Sequence, residues 1–201
     1  MPGGADRASR PPRSAAHNRC VRVIAGSAKG TRLASVPAGT RPVSDRAREG
    51  LFSSLGHRII GARVLDLYAG TGALGIEALS RGASSAVLVD SAPGAVRVIG
   101  QNLARARLAA RASVLRQEVR RALRHEIGQF DVVLADPPYA SPAGEIAALL
   151  EEIAGQGVIA PRGTVVLTRP KRNATVVIPV HWSEERRLFY GDSVVLVFHA
   201  H

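Results

Sequence analysis

The chain has 201 residues, of which 46% are hydrophobic, and its 27 Lys and Arg against 16 Asp and Glu give a formal net charge of +11. This length fits one domain with a small extension, and the hydrophobic content excludes a wholly disordered chain. The single cysteine excludes an internal disulfide framework and a cysteine-rich zinc site, and no apolar run approaches the ~18 residues of a membrane span.

Positive charge is concentrated at the start of the chain. Residues 1–60 hold 11 Lys and Arg against 3 Asp and Glu, a net of +8, and residues 61–201 carry the remaining +3. This distribution favours contact with a polyanion, although a solubilising tail would have the same composition. Residues 1–19 are polar and rich in Pro, Gly, Ala, Ser and Arg, which predicts a disordered basic arm. They lack the apolar stretch of a secretory signal, so we expect a cytoplasmic protein.

A small basic hairpin is predicted next. Cys20–Ala25 alternates apolar and polar residues like a short strand, Gly26–Gly30 is rich in turn formers, and Thr31–Val36 can pair as a second strand. With the helix that follows, this hairpin forms a predicted N-terminal region over residues 20–56, ahead of a main domain over residues 57–201.

Local patterns also predict the helix of the N-terminal region and the sheet of the main domain. Ser44 is a suitable N-cap for a helix over Asp45–Leu55, which Gly56 ends. From residue 63 onward, continuous apolar runs alternate with helical stretches, which predicts an α/β fold whose mostly parallel sheet is covered on both faces. Only Gly191-Asp192-Ser193 separates the last two of seven runs, so a C-terminal hairpin supplies an antiparallel strand. The predicted strands are Val64–Tyr68, Ala86–Asp90, Ser113–Arg116, Asp131–Ala135, Thr164–Thr168, Arg187–Tyr190 and Val194–His199, and the predicted helices between them are Ala73–Ser80, Ala92–Ala106, Glu118–Glu126 and Pro142–Ala154.

A glycine-rich loop, Asp66–Gly75, follows the first strand and opens a helix. Gly70, Gly72 and Gly75 match G-x-G-x-x-G, a pattern that lets the backbone and a helix N-terminus approach a ligand closely but equally admits a dinucleotide. Asp66 precedes the first glycine by four residues and would repel a pyrophosphate but attract a cationic tail such as that of S-adenosylmethionine. The alternative is a buried Asp66 satisfied by loop amides.

Asp90 ends the second predicted strand, 20 residues after Gly70. A carboxylate at this spacing can accept hydrogen bonds from both hydroxyls of an adenosine ribose. It can instead cap the helix that follows, and the sequence leaves both roles open.

The segment Asp136-Pro137-Pro138-Tyr139, which we call the DPPY loop, follows the fourth predicted strand. Ligands of open α/β sheets bind beyond the carboxyl ends of the strands, where this loop lies with Asp66 and Asp90. The prolines stiffen the loop and lack N–H donors, so Asp136 and the Pro137 carbonyl can accept two hydrogen bonds from one NH₂ group. Tyr139 offers a face for stacking a base. The pattern therefore predicts a pocket for the exocyclic amine of a nucleobase, the alternative being a turn capped by Asp136.

These motifs resemble those of class I S-adenosylmethionine-dependent methyltransferases that modify exocyclic amines. The runs RVIAGSAKGTRL at Arg22–Leu33 and RPVSDRAREGLF at Arg41–Phe52 are similar to those of the RsmD family, which methylates N2 of a guanine in bacterial 16S ribosomal RNA. The resemblance covers about residues 20–199. It implies a Rossmann-like class I methyltransferase fold with a seven-stranded sheet, S-adenosylmethionine as cofactor, and 16S ribosomal RNA as partner, either naked or within a small ribosomal subunit.

The resemblance also implies roles for individual residues. Asp136, Pro137, Pro138 and Tyr139 would be catalytic, and Asp66 would face the methionine end of the cofactor. Glu118 would lie near the adenine, with Gln117 as the alternative after a one-residue shift. The implied cofactor-binding residues are Asp66, Tyr68, Ala69, Gly70, Thr71, Gly72, Asp90, Ser91, Gln117, Glu118 and Asp136. Independently of the resemblance, the basic charge of the N-terminal region predicts phosphate contacts to RNA, and the predicted RNA-binding residues are Arg22, Lys29, Arg32, Arg41, Arg46 and Arg48.

Three rival functions stay open at this stage. An NAD-dependent oxidoreductase would share the fold but has no use for the DPPY loop, and an adenine-N6 DNA methyltransferase would use the same loop on another amine. A non-catalytic RNA-binding protein would not need the loop intact. The six histidines are scattered without ligand spacing, so we assign no metal, and we expect a monomer that contacts no membrane.

Overall fold

A computed structural model describes residues 21–36, 43–125 and 127–201. The predicted basic arm over residues 1–19, together with Cys20 and Arg41, lies outside the described residues. None of the helices in the described part of the chain has the length and apolarity that a membrane span requires.

Seven strands of the described residues form one mixed sheet in the order β3-β2-β1-β4-β5-β7-β6. All neighbouring strands run parallel except β7, which is antiparallel to both β5 and β6. The predicted parallel sheet with an antiparallel C-terminal hairpin is therefore confirmed. The strands are β1 Arg63–Leu67, β2 Ser85–Asp90, β3 Ala112–Arg116, β4 Phe130–Ala135, β5 Ile159–Pro170, β6 Trp182–Tyr190 and β7 Ser193–Ala200.

In the described part of the chain, five α-helices cover the two faces of the sheet. Buried side chains of α1, α2 and α3 pack on one face with Val64, Leu88 and Leu134, and those of α4 and α5 pack on the other with Leu65 and Val133. The helix after the third strand is shorter than the predicted Glu118–Glu126. The helices are α1 Asp45–Leu55, α2 Ala73–Ser80, α3 Pro93–Ala106, α4 Val119–Leu123 and α5 Ala143–Gly155.

The strand order places the crevice of the sheet between β1 and β4. From β1 the chain winds outward through β2 and β3, then returns to the other side of β1 with β4. Helices covering opposite faces diverge at such a switch point and leave room for a ligand beyond the carboxyl ends of the strands. The glycine loop and the DPPY loop leave the sheet from these two strands.

The N-terminal hairpin differs from the two predicted strands. An isolated antiparallel bridge, Arg22 to Arg32, joins its arms around a turn, and the Gly30 amide also donates to the Val23 carbonyl at 2.9 Å. Other backbone N–H groups of the segment are taken by side chains of the main domain: those of Ile24 and Ala25 donate to the Glu77 carboxylate at 2.7 and 3.0 Å. Because side chains compete with the strand ladder for these donors, the arms stay irregular.

Candidate active site

Three carboxylates gather at the carboxyl edge of the sheet, on neighbouring strands. Asp66 is the fourth residue of β1, Asp90 ends β2, and Asp136 directly follows β4. Val64, Leu88 and Leu134 lie two positions before these acids, and all three belong to the hydrophobic core on one face of the sheet. Because every second side chain of a strand points to the same face, the three acids are directed to that face as well. Their proximity is electrostatic as well, because the charges of Asp136 and Asp90 both raise the pKa of Asp66.

Asp66 is the most deeply buried of the three acids. Its side chain is 1% exposed, and its Oδ2 accepts a hydrogen bond of 2.8 Å from the Gly75 amide. Burial, together with the neighbouring acids, raises its pKa from 3.8 to about 7 despite this hydrogen bond. Asp66 is therefore buried and bound by a loop amide, as the alternative to cofactor binding expected. It also lies beside two other acids whose charges are like its own.

Asp90 ties the glycine loop to the end of β2. Its Oδ2 accepts from the Gly70 amide at 2.8 Å, and its Oδ1 accepts from the Ala92 amide at 2.9 Å, just before α3. The carboxylate is held in one orientation at the crevice by these two donors. Contacts to a ribose would use its remaining acceptor capacity, since each carboxylate oxygen has a second lone pair.

The glycine loop takes an unusual backbone path between β1 and α2. Tyr68 has a φ of 60°, which costs a non-glycine residue free energy and marks strain at a candidate site. Further along, a Cβ on Gly75 would lie 2.9 Å from Leu88 Cδ2 and 3.1 Å from Asp66 Oδ2. Only glycine lets α2 approach the strands this closely, so Gly75 serves helix–sheet packing and brings its amide to Asp66.

The DPPY loop is held from two sides. The Tyr139 hydroxyl is hydrogen-bonded to Ser193 at the start of β7, and Arg169 Nη2 donates to the Ser141 carbonyl at 2.9 Å. The residue Asp136 as a whole is partly exposed, but its carboxyl group is buried. This burial raises the pKa of the Asp136 carboxyl to about 7. An acid poised near neutrality in a stiff loop fits a role in hydrogen bonding or proton transfer.

The remaining predicted cofactor residues lie around the same edge. The Gln117 amide donates to the Asp90 carbonyl at 3.1 Å, which places the end of β3 beside β2. The charge of Glu118 raises the pKa of Tyr68, after burial as the larger cause, so these side chains are also neighbours. Ala69 and Thr71 are buried in the glycine loop, whereas Ser91 is exposed after Asp90.

Comparison with known proteins places this architecture in a family. The family model described as "Conserved hypothetical protein 95" matches residues 21–199. The chain belongs to this family, the RsmD family. It is 32% identical over 174 residues to "Ribosomal RNA small subunit methyltransferase D" of Escherichia coli (strain K12), covering 86% of each chain.

Solved structures agree with this membership. The Escherichia coli protein yhhF matches with a TM-score of 0.80 at 30% identity, covering 90% of this chain and 98% of that one. An RNA methyltransferase from Salinibacter ruber in complex with S-adenosyl-L-homocysteine matches with a TM-score of 0.62 at 15% identity, over 80% and 94% of the two chains. That more distant likeness concerns the fold alone, and it confirms the predicted class I methyltransferase architecture.

The predicted RNA-binding residues of this RsmD-family chain divide into two groups. Arg22, Lys29, Arg32 and Arg46 are exposed, as phosphate contacts require. Arg48 is fully buried, and its Nη2 donates to the Arg22 carbonyl and to Asp45 Oδ1. Its guanidinium therefore joins α1 to the hairpin, and the prediction that it binds RNA is wrong.

Sequence reasoning missed several buried polar residues that support the RsmD-family site. Asn102 on α3 donates to the Thr71 carbonyl at 2.9 Å and exchanges hydrogen bonds with the backbone of Ala34, which joins the glycine loop to the N-terminal segment. In the sequence, Asn102 lies among the apolar positions of an amphipathic helix, and this pattern indicates a buried polar side chain. Thr168 is 3% exposed, and its hydroxyl has no hydrogen-bond partner among the described residues. It neighbours Asp136, because β4 and β5 pair Ala135 with Leu167.

Two cavities flank the sheet at opposite edges. One of about 470 Å³ lies where β5 and β6 begin and β7 ends, lined by Ile159, Trp182 and Ala200, away from the three acids. The other, of about 330 Å³, adjoins the DPPY loop and is lined by Tyr139. Among the side chains of residues 21–36, 43–125 and 127–201, no cluster of three or more His, Cys, Asp or Glu is suited to hold a metal ion.

Proposed function

We propose that this protein methylates the exocyclic N2 amine of a guanine in 16S ribosomal RNA, with S-adenosylmethionine as the methyl donor. The observation that carries the proposal is the half-buried Asp136, at the head of a proline-stiffened loop and beside Asp66 and Asp90. Membership of the RsmD family supports a ribosomal RNA methyltransferase over a dinucleotide-dependent oxidoreductase or an adenine-N6 DNA methyltransferase, because the curated relative is named for the small-subunit RNA.

The residues at the carboxyl edge fit S-adenosylmethionine. When bound, this cofactor supplies an electrophilic methyl group on a sulfonium that carries positive charge. Within the described part of the chain, no cation contributes to the pKa shift of the buried Asp66, so its carboxylate would attract the charged methionine end. Asp90 would hold the ribose hydroxyls, and Gln117 or Glu118 would lie near the adenine. The other lining residues would be Tyr68, Ala69, Gly70, Thr71, Gly72 and Ser91.

Asp136 and Pro137 would orient the amine for reaction. The lone pair of this amine is delocalised into the guanine ring, so the nitrogen is a weak nucleophile. Asp136 and the Pro137 carbonyl would each accept a hydrogen bond from the amine, which would direct its lone pair toward the methyl donor. Pro138 would stiffen the loop, and Tyr139 would stack on the base. This contribution is mainly proximity and orientation. Asp136 would then take up the proton that the nitrogen loses, or relay it to solvent.

The target guanine would enter the site from a single-stranded loop. A base must leave its stack to reach a pocket of this kind, and unpaired RNA loses the least free energy in doing so. The exposed Arg22, Lys29, Arg32 and Arg46 would contact phosphates of the surrounding RNA. We further propose that the protein works as a monomer in the cytoplasm, on naked 16S RNA or on a small ribosomal subunit.

The decisive experiment is transfer of tritiated methyl groups to 16S ribosomal RNA, followed by nucleoside analysis. The wild-type protein should yield N2-methylguanosine, and Asp136→Ala should lower turnover at least ~10²-fold because amine orientation is lost. Calorimetry should show that Asp136→Ala still binds S-adenosylmethionine. Full activity of Asp136→Ala would refute the mechanism, and label in a different nucleoside would refute the guanine target.

A further inference from the structure

The cleft of about 330 Å³ beside the DPPY loop shares Tyr139 with the methyl-transfer site and is otherwise lined by residues that this site does not use. It lies between the start of α1, the DPPY loop and the turn that joins β6 to β7. Its volume is at the lower end of the range for small-ligand pockets and suits one nucleotide unit. The lining residues are Ser44, Arg46, Tyr139, Phe189, Tyr190, Gly191, Asp192 and Ser193.

Phe189 is an aromatic residue exposed at this cleft. Its side chain is 52% exposed, whereas Phe52, Phe130 and Phe198 are at most 2% exposed. The Lys171 ammonium lies 5.7 Å from the centre of the Phe189 ring. A ring that is open to solvent and has a cation beside it can stack an unpaired base while the cation lies near the phosphate backbone.

Contacts from three elements hold the cleft in place. The Tyr139 hydroxyl is hydrogen-bonded to Ser193, which joins the DPPY loop to the β6–β7 turn. A Cβ on Gly50 would lie 1.6 Å from the Tyr190 hydroxyl oxygen, so the absence of a side chain on α1 makes room for this tyrosine. A 2.8 Å hydrogen bond from Arg58 Nη2 to Glu185 Oε1 further joins β6 to the turn after α1.

The charge around the cleft favours an anionic polymer. Arg46 lines the cleft, and the exposed Lys171 and Arg172 follow β5 directly beside the turn, where the Lys171 amide donates to the Asp192 carbonyl at 2.7 Å. Asp192 also lines the cleft, and its negative charge would disfavour a phosphate directly next to it. Phosphate contacts are therefore expected on the Arg46 and Lys171 sides, with the base against Phe189.

We propose that this cleft binds the nucleotide next to the methylated guanine, stacking its base on Phe189 and contacting its phosphate through Arg46. The inference rests on the proposed function, because it needs a single-stranded RNA whose target base has entered the Asp136 site. Tyr139 lines both sites, so the two nucleotides would be consecutive along the strand. The β6–β7 turn then serves substrate recognition in addition to closing the sheet.

Steady-state kinetics on 16S ribosomal RNA test the proposal. Phe189→Ala should raise the KM for RNA about 5- to 150-fold, the range for loss of one stacked base, with kcat and the Kd for S-adenosylmethionine within about twofold. Phe189→Trp, which keeps a stacking face, should stay near wild type. Val180→Ala removes an exposed apolar side chain, 94% exposed, from the cavity at the opposite edge and should change nothing.

A direct contact test uses 16S RNA transcribed with 5-iodouridine and irradiated in complex with the protein. Crosslinks should map to the tryptic fragment 188–201 and be lost in Phe189→Ala. A wild-type KM in Phe189→Ala, or crosslinks confined to other fragments, would overturn this inference while leaving the proposed function intact. Absence of methyl transfer to RNA by the wild-type protein would instead contradict the proposed function.

Discussion

At the scale of single residues, the acids at the carboxyl edge lower the stability of the free chain, and a bound cation would relieve this cost. Asp66 is 1% exposed and lies beside the charges of Asp90 and Asp136. A desolvated carboxylate among like charges is unfavourable, and its raised pKa records that cost. A positively charged ligand would relieve it, so cofactor affinity and stability without cofactor oppose each other at this position.

Replacing Asp66 with Asn is expected to stabilise the free protein at about pH 8. The folded chain keeps the Asp66 proton up to about pH 7, whereas the ordinary pKa is 3.8. The free energy of unfolding of the wild-type protein therefore falls as the pH rises from 3.8 to about 7, by on the order of 4 kcal/mol at most. Asn removes this dependence and can still accept from the Gly75 amide. Melting temperatures should converge near pH 4 and diverge toward pH 8, and parallel curves would contradict the assignment.

The pH dependence of catalysis should differ between the free and the cofactor-bound protein. Asp66 and Asp136 both titrate near 7, and their proximity means that the apparent values belong to the pair. The ratio kcat/KM for S-adenosylmethionine, which reports on the free protein, should fall below about pH 7 as the acids take up protons. The inflection in kcat should lie at lower pH, because a bound cation favours the charged carboxylates. Coincident inflections in the two profiles would show that no such coupling exists.

At the scale of elements, local signals predicted the parts that depend on neighbours in sequence. Helix α1 begins after Ser44, whose side chain accepts from the Ala47 amide, and ends at Gly56, as predicted from those two residues. The placement of β7 between β5 and β6 depends on pairing between distant segments, which short-range patterns do not contain. The burial of Arg48 could not be predicted from local patterns either, because one of its partners is the carbonyl of Arg22, 26 residues earlier in the chain.

The docking of the N-terminal hairpin on α2 depends on Glu77. This fully buried carboxylate accepts from the Ile24 and Ala25 amides and from Arg81 Nε at 2.7 Å. The two amides are more than 50 residues away in sequence, so an acid inside an apolar helix gave no indication of its partners. A single side chain thereby links two segments that the predicted boundary at residue 56 separates.

Glu77→Gln is expected to destabilise the protein by roughly 3 kcal/mol, because the charged partner of Arg81 and of the buried Arg48 is lost. Urea unfolding measures this loss, and hydrogen exchange should show faster exchange at residues 21–36 than at the β1 amides. Glu145→Gln, an exposed acid on α5, is the matched control and should leave both measurements unchanged. If exchange rises equally across the chain, Glu77 acts on global stability and not on hairpin docking.

At the scale of the whole molecule, the exposed cations of the hairpin continue toward the cleft at the DPPY loop. Arg22 Nε lies 3.9 Å from Asp45 at the start of α1, and the next residue, Arg46, lines the cleft. For the proposed RNA substrate, this arrangement would provide a basic path to the site. Truncating the N-terminal segment would not test the path cleanly, because Val21, Val23 and Leu33 belong to the core.

Substitution of the exposed charges tests the path while keeping that core. The triple variant Arg22→Ala, Lys29→Ala and Arg32→Ala should weaken RNA binding and flatten its salt dependence, since each lost phosphate contact lowers the slope of log K against log salt by about 0.7 to 0.9. A control variant with Arg97→Ala, Arg121→Ala and Arg162→Ala removes equal charge from other exposed positions, so it separates local contacts from net charge. Filter binding across a salt series measures both slopes, and cofactor binding should be unaffected in either variant. If both variants flatten the slope equally, RNA responds to the overall charge of +11 and the hairpin is not a specific binding surface.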